Sequence, residues 1–201
     1  MADLFCGIDF GTSNSTVALA DPQKAWLIPL EGEHLTLPSA VFWEADGAVP
    51  EFGRAGIEAY VRGDDGRLLR GLKSTLGSSL INEKTRVGNR AVSFKDVVAR
   101  FFGQLKARLD AQTGGGITSV VLGRPVHFVD GDPAADAQAQ GVLEEIARAQ
   151  GFREISFQFE PIAAALQYEQ SVAREELVLI VDIGGGTSDF SIVRVSPELS
   201  R

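Results

Sequence analysis

Two short segments near opposite ends of the chain contain residue types that bind phosphate and divalent cations. The first is Asp9-Phe10-Gly11-Thr12-Ser13-Asn14-Ser15, and the second is Asp182-Ile183-Gly184-Gly185-Gly186-Thr187-Ser188-Asp189. In each, an aspartate ends an apolar run and is followed by glycine, by Thr-Ser and then by a second apolar run. Glycine lets backbone N–H groups approach an anion without a Cβ in the way, and hydroxyl groups add donors. Two such loops facing each other would hold a polyphosphate from both sides.

The aspartates of these loops suit a hydrated magnesium ion, because Mg²⁺ keeps several waters and bridges carboxylates to phosphate oxygens. Asp9, Asp182 and Asp189 are the candidate residues. A single glycine turn is typical of a plain hairpin, so the prediction depends on the two matching copies. The sequence contains no G-x-x-x-x-G-K-[ST] string, since the nearest segment, 71–75, lacks the earlier glycine.

Strands and turns are predicted around the first loop, and strands alternate with helices in the second half. We predict a meander of strands at 4–10, 15–20 and 26–30, then strands at 118–122, 155–159 and 177–183 with helices at 134–150 and 161–170 between them. This order predicts two consecutive β-α-β units with parallel strands. The run Leu177-Val178-Leu179-Ile180-Val181 is apolar without alternation, which predicts a central strand covered on both faces.

The middle of the chain differs from both ends in composition. Glycine, proline and charged residues are frequent over about 46–90, with a helical patch at 54–62, which predicts an irregular inserted subdomain. Ser93 and Asp96 resemble a capping box before a helix that ends at Gly114-Gly115-Gly116. The apolar face of that helix is a predicted core surface, formed by Val97, Val98, Phe101, Phe102, Leu105 and Leu109.

Composition narrows the class of protein. The 201 residues carry a formal net charge of -8, with 44% hydrophobic and 23% charged residues, which is ordinary for a globular chain. The acidic balance argues against nucleic acid or an anionic membrane as the main partner. One cysteine, Cys6, excludes an internal disulfide framework. The sequence shows no signal peptide and no long apolar span, so we predict a cytoplasmic protein.

Four segments of the sequence resemble those of a known protein family. The two glycine loops look like the phosphate-binding signatures of DnaK-type heat-shock-70 chaperones, which belong to the actin-like ATPase superfamily. Glu160-Pro161-Ile162-Ala163-Ala164-Ala165 is similar to the connecting helix of that family, and Lys73-Ser74-Thr75-Leu76-Gly77 to its catalytic-lysine segment. The segment from Gly123-Arg124-Pro125-Val126 through Glu160-Pro161 most resembles the divergent YegD-like branch.

The resemblance implies an α/β fold, the ribonuclease-H-like first lobe of an actin-like ATPase. Its five-stranded mixed sheet would be flanked by helices, with 1–34 and 116–201 as the core subdomain and 35–115 as a smaller inserted subdomain. The second ATPase lobe and a peptide-binding domain are expected to lie outside this chain. The full-length parent would be an ATP phosphohydrolase that drives protein folding, with client proteins and co-chaperones as partners. The implied cofactors are ATP or ADP, Mg²⁺ and, as a further candidate, K⁺.

The resemblance also implies a role for each matching residue. The catalytic residues would be Lys73, which would contact the γ-phosphate and the attacking water, together with Glu160, Asp182 and Thr187. Asp9, Glu160 and Asp182 would organise the magnesium waters and the attacking water, and Asp189 would lie near a monovalent cation. The β- and γ-phosphates would be held by Gly11, Thr12, Ser13, Gly184, Gly185, Gly186 and Thr187.

Three positions depart from the family pattern. Phe159 and Ile162 stand where the family usually has asparagine and threonine, and Gln140 occupies the position of a relay arginine. The isolated lobe is expected to bind nucleotide weakly and not to be competent in hydrolysis, because half of the enclosing contacts would be absent. Two alternatives remain open at this point: a small-molecule kinase of the same superfamily, and a non-enzymatic filament or scaffold protein.

Overall fold

The computed structural model describes residues 4–46, 49–185 and 188–197. Its N-terminal part is an antiparallel meander of β1 (Phe5–Phe10), β2 (Asn14–Ala20) and β3 (Ala25–Leu27), and the short β4 (Leu37–Pro38) pairs with the beginning of β2. Side chains of β1 and β2 alternate between core and surface, because successive residues of a strand point to opposite faces. The predicted first hairpin is therefore confirmed.

A small sheet and a hairpin follow. The strands β5 (Val41–Glu44) and β6 (Glu51–Phe52), the helix α1 (Gly53–Arg62) and the strand β7 (Gly66–Leu69) form a three-stranded unit in which β5 is central. Two 3₁₀ turns, Leu72–Thr75 and Ser79–Asn82, lead to the hairpin β8 (Lys84–Val87) and β9 (Arg90–Ser93). All of these elements lie within the predicted insertion at 35–115, whose boundaries remain a prediction.

The long helix α2 (Phe94–Thr113) has the predicted capping. The Ser93 hydroxyl accepts a hydrogen bond from the Asp96 N–H at 3.0 Å, and Gly114 closes the helix with a left-handed φ of 74°. The predicted apolar face is buried. The rings of Phe101 and Phe102 pack on that of Phe10, with centroids 5.8 and 5.0 Å away. Helix α2 therefore shares one hydrophobic core with the N-terminal sheet.

The second half contributes β10 (Ser119–Arg124), α3 (Pro133–Ala149), β11 (Glu154–Phe159) and α4 (Glu160–Glu169). Strand β10 pairs in parallel with both β1 and β11, giving the order β11-β10-β1-β2-β3. The unit from β10 through α3 to β11 is the predicted β-α-β crossover. The mixed sheet flanked by helices is confirmed, and β4 adds a sixth short strand to it.

The strand predicted at 177–183 is present, but its predicted position at the centre of a parallel sheet was wrong. Strand β12 (Glu176–Ile183) pairs with β13 (Ser188–Val195) in an antiparallel hairpin, and among the described residues it joins no other strand. Leu177 and Leu179 are 70% and 58% exposed, whereas Val178 and Ile180 are half-buried. An apolar run indicates surface suited to burial, but it does not say which strand lies beside it, and a short glycine turn favours local antiparallel pairing. The second predicted parallel unit is therefore absent from the described part of the chain.

No helix among the described residues is both long enough and apolar enough to span a bilayer.

Candidate functional site

The first glycine loop is the turn between β1 and β2. Gly11 N–H donates to the carbonyl oxygen of Asn14 at 3.1 Å, which closes the turn. A Cβ at Gly11 would overlap that same carbonyl oxygen, so only glycine fits here. Thr12 and Ser13 consequently lie at the tip of the turn, where their hydroxyls and backbone N–H groups can face a ligand.

A buried serine supports this loop from a different part of the chain. Ser39 Oγ donates to the Gly11 carbonyl at 2.7 Å, and Ser39 N–H donates to the Ser13 carbonyl at 2.8 Å. Its hydroxyl also lies 2.9 Å from that of Ser15, and both serines are buried. Ser39 was not predicted from the sequence, because a serine after proline carries no signal of a contact with a loop so far away in the sequence.

The second glycine loop connects β12 and β13. Gly184 and Gly185 are described, whereas the predicted phosphate ligands Gly186 and Thr187 lie outside the described residues. A Cβ added to Gly185 would overlap the hydroxyl of Ser13, so the two loops are in close contact. The structure thus brings together two segments that the sequence places at opposite ends of the chain.

Two of the predicted cation ligands face each other across the second hairpin. Asp182 and Asp189 are register partners in the β12–β13 ladder. Like charges directly opposite each other on one face of an antiparallel pair destabilise the pair. A cation between or beside these carboxylates would remove that cost.

Lys73 and Glu160 form an ion pair beside the loops. Lys73 belongs to the 3₁₀ turn Leu72–Thr75, and Glu160 is the first residue of α4, where a carboxylate suits the positive end of the helix dipole. Lys73 Nζ lies 2.6 Å from Glu160 Oε1, and the two side chains are 14% and 20% exposed. Two residues 87 positions apart in the sequence therefore meet at one half-buried point.

Gly123, near the end of β10, lies between Glu160 and Asp9. A Cβ at Gly123 would make ordinary van der Waals contacts, 3.5 Å from Glu160 Cγ and 3.6 Å from Asp9 Oδ1. A side chain longer than that of alanine would crowd the two carboxylates. No role for Gly123 was predicted from the sequence, although a glycine near the end of a strand is a usable sign that another group approaches the backbone closely.

The carboxylates at this point are electrostatically coupled. The pKa of Asp9 is raised, first because surrounding protein atoms reduce its hydration and also because of the charge of Asp182, while Lys73 acts in the opposite direction. Burial likewise raises the pKa of Glu160, with Asp9 and Asp182 adding to the effect and the contact with Lys73 opposing it. Asp9 and Glu160 share the ammonium group of Lys73, and Asp182 adds a further negative charge, so the site has an excess of negative charge.

This donor set suits a hydrated divalent cation. Within residues 4–46, 49–185 and 188–197, no three His, Cys, Asp or Glu side chains come close enough to enclose a metal directly. Carboxylates that approach without converging fit Mg²⁺, which prefers oxygen ligands and keeps several of its own waters. Asp9 and Asp182 each lie within two residues of one of the two glycine loops in the sequence, and these loops are in contact.

Comparison with known proteins decides the family. The family model described as Hsp70 protein matches residues 72–198. The chain belongs to the Hsp70 family. This confirms the family resemblance and the implied type of fold.

The curated relatives are chaperones. The chain is 32% identical to the chaperone protein HscA of Edwardsiella ictaluri over 96% of its own length and 33% of the relative's. It is 31% identical to HscA of Salmonella typhimurium, again over 96% of this chain and 33% of the relative. It is 32% identical to the HscA homolog of Laribacter hongkongensis over 96% of this chain and 32% of that protein.

This Hsp70-family chain therefore spans about a third of the length of the curated relatives it matches. Because these relatives are chaperones, neither the kinase nor the filament alternative is favoured. They do not test the YegD-like branch, which remains a prediction.

Proposed function

We propose that this chain is the part of an Hsp70-type chaperone that binds the phosphates of ATP, and that the full-length protein hydrolyses ATP to drive the handling of client proteins. The observation that carries the proposal is the contact between the two glycine loops at Ser13 and Gly185, next to the pair of Lys73 and Glu160. Phosphoryl transfer requires positioned charge more than covalent chemistry, and this arrangement offers it.

The two loops would bind the triphosphate from opposite sides. Backbone N–H groups and hydroxyls of Gly11, Thr12 and Ser13 would bind it from the first hairpin. Gly184, Gly185, Gly186 and Thr187 would bind it from the second, and the Thr187 hydroxyl would add a donor near the γ-phosphate. Neutral donors of this kind hold a highly charged anion on a protein whose net charge is itself -8.

The carboxylates would supply the cation site. Asp9 and Asp182 would accept hydrogen bonds from waters of Mg²⁺, and Asp189, opposite Asp182, would lie near a monovalent ion such as K⁺. When bound, magnesium neutralises charge on the phosphate oxygens. The raised pKa of Asp9 supports this assignment, because a carboxylate held near other negative charges and away from bulk water gains most from a cation.

Lys73 and Glu160 would serve the attacking water. The Lys73 ammonium donates a hydrogen bond to Glu160 Oε1 at 2.6 Å. With ATP bound, the ammonium would contact the γ-phosphate, and the Glu160 carboxylate would orient a water for in-line attack and accept its proton. Glu160 lies on a helix and Lys73 on a short 3₁₀ turn, so the turn is the part that can adjust.

The remaining assignments concern the whole protein. Client proteins and co-chaperones would be partners of the full-length parent, and its location would be the cytoplasm. A single buried cysteine fits a reducing compartment. Nucleic acids and membranes are not proposed as partners.

Calorimetric titration of this chain with Mg-ATP tests the site. We expect weak binding that is lost in Asp182→Ala and retained in Asp130→Ala, which removes an exposed aspartate from the loop before α3. Equal binding by the chain and by Asp182→Ala would contradict the assignment of the second loop. A dissociation constant in the low micromolar range would contradict the expectation that the isolated chain binds weakly.

A further inference from the structure

The last residue of β10 is a buried arginine with an unusually complete set of partners. Arg124 is 8% exposed. Its Nε donates to the Pro125 carbonyl at 3.0 Å, and its Nη2 donates to the Val126 carbonyl at 3.1 Å and to Asp136 Oδ2 at 2.7 Å. Its Nη1 donates to Gln140 Oε1. Burying a charge is costly unless it is paired and hydrogen-bonded, so this arginine is held in one position.

Two aromatic rings lie against the same guanidinium. Phe128 and Phe159 each have their ring centroid 5.1 Å from Arg124 Cζ. Phe159 is also the register partner of Arg124 in the parallel pairing of β10 with β11. Cation–π contacts of a desolvated guanidinium are among the stronger ones. Phe159 is thus held by its backbone pairing and by the contact of its ring with Arg124, while 42% of the residue remains exposed.

Phe159 matters because of its place in the chain. It is the N-cap residue of α4, immediately before Glu160, and it makes no side-chain capping hydrogen bond. N-caps are usually Ser, Thr, Asp or Asn, whose side chains accept a hydrogen bond from the first turn and so fix its direction. A phenylalanine cannot do this. The direction of the first turn of α4 therefore depends on strand pairing and on the packing of the Phe159 ring.

We propose that Arg124 is a positioning residue for Glu160. By holding Phe159 against the end of β10, it fixes the first turn of α4 at the place where Glu160 meets Lys73. The role of Glu160 in the reaction rests on the proposed function, but its placement by Arg124 does not. Asp136 takes part in the same arrangement, because it binds Arg124 and also accepts a hydrogen bond from the Phe128 N–H at 2.6 Å.

The ammonium group of Lys73 reports on the placement of Glu160. Its hydrogen exchange with water can be followed by NMR on the full chain labelled with ¹⁵N-lysine, with the signal assigned from Lys73→Arg. We expect exchange at least about five-fold faster in Phe159→Leu, because local opening exposes the ion pair. Phe128→Leu is the matched control: it removes the other ring from the same guanidinium, but Phe128 is not adjacent to Glu160. Exchange there should stay within about two-fold of the unchanged chain.

A second pair of variants covers the case in which Phe159→Leu does not fold. Arg124→Lys keeps the charge but cannot bridge the same partners, so Lys73 exchange should again accelerate. Arg54→Lys is its control, because Arg54 has a comparable set of hydrogen bonds to Glu31 and Thr36, away from Glu160. Denaturation by urea measures the global loss of stability in each variant. Equal acceleration within either pair, or none in Phe159→Leu and Arg124→Lys, would overturn the proposal.

The exchange measurement needs no nucleotide, so it tests the positioning role of Arg124 separately from the proposed ATP-binding function. If the unchanged chain fails to bind Mg-ATP while Lys73 exchange responds as expected, the proposed function fails and the positioning role stands. If Mg-ATP binds and the matched variants behave alike, the positioning role fails and the proposed function stands.

Discussion

At the scale of single residues, Asp9 has an energetic cost that its proposed function would explain. A carboxyl whose pKa is raised by folding binds its proton more tightly in the folded chain. The free energy of unfolding therefore falls as pH rises from about 4, the ordinary pKa of aspartate, to the raised pKa of Asp9 in the folded chain. Above that pKa the contribution of Asp9 is constant. Charge removal at this position should relieve the cost at neutral pH.

The prediction is that Asp9→Asn raises the free energy of unfolding at pH 7 and flattens its pH dependence over that window. Urea denaturation from pH 3 to 8, without magnesium or nucleotide, measures both effects. Asp130→Asn is the control for removal of an exposed carboxylate. A pH profile for Asp9→Asn that runs parallel to that of the unchanged chain would contradict the prediction.

Ser39 allows a second prediction at this scale. Ser39→Ala leaves the Gly11 carbonyl and the buried Ser15 hydroxyl each without one partner. An unsatisfied buried polar group costs about 1–3 kcal/mol, so we expect a loss of stability of that order together with weaker binding of Mg-ATP. Ser119→Ala is a suitable control, because it removes a serine hydrogen-bonded to Glu154 at an exposed position. Equal losses in the two variants would show that Ser39 has no special role in the loop.

These residues show what a sequence can and cannot reveal about a site. The two glycine loops were predicted from their residue types and spacing, whereas Lys73 and Glu160 were predicted only from the family resemblance. Ser39, Gly123 and Arg124 were not predicted, because their contributions are contacts between distant parts of the chain. A hydrogen bond from Ser39 to Gly11 exists only after β4 pairs with β2, and local sequence contains no trace of it.

At the scale of elements, the approach of the two loops depends on the lack of a side chain at Gly185. Gly185→Ala would direct a Cβ onto the hydroxyl of Ser13, so we expect this hydroxyl to turn away from the second loop and Mg-ATP binding to weaken. Gly141→Ala is the matched control. Gly141 lies within α3 with open space where its Cβ would be, and alanine there should stabilise the helix by about 0.5–1 kcal/mol.

Calorimetry with Mg-ATP on both alanine variants checks this expectation. Gly141→Ala should bind as the unchanged chain does. Undiminished binding in Gly185→Ala would mean that the loop contact at Ser13 does not shape the phosphate site.

Among the helices and strands, interactions between residues close in sequence were predicted better than pairing between distant strands. The capping of α2 by Ser93 and its closure at Gly114 were correctly predicted, because both are interactions within a few residues. The position of β12 was wrongly predicted, because an apolar run such as Leu177-Val178-Leu179 predicts burial but does not identify the neighbouring strand. Parallel pairing of β10 with β11 was correctly predicted, because the two strands of a β-α-β unit have few allowed topologies.

At the scale of the whole molecule, two regions of the chain differ in how extensively they are packed and therefore in their expected local stability. The mixed sheet and α2 share a continuous core of buried apolar side chains. Hairpin β12–β13 pairs with no other described strand, packs mainly against α4, and exposes Leu179, Phe190 and Ile192 by 58%, 67% and 74%. A two-stranded hairpin is marginally stable by itself, so local opening should be most frequent there.

Hydrogen exchange measured by mass spectrometry tests this difference. Without ligand, peptides from Glu176–Val195 should exchange much faster than those from β1, β2 and β10. Because the proposed phosphate site spans both glycine loops, saturating Mg-ATP should slow exchange in the hairpin more than in the sheet. Asp182→Ala should abolish that protection while leaving exchange in the sheet unchanged. Protection confined to the first loop would mean that nucleotide is held by the sheet alone and that the hairpin takes no part in binding.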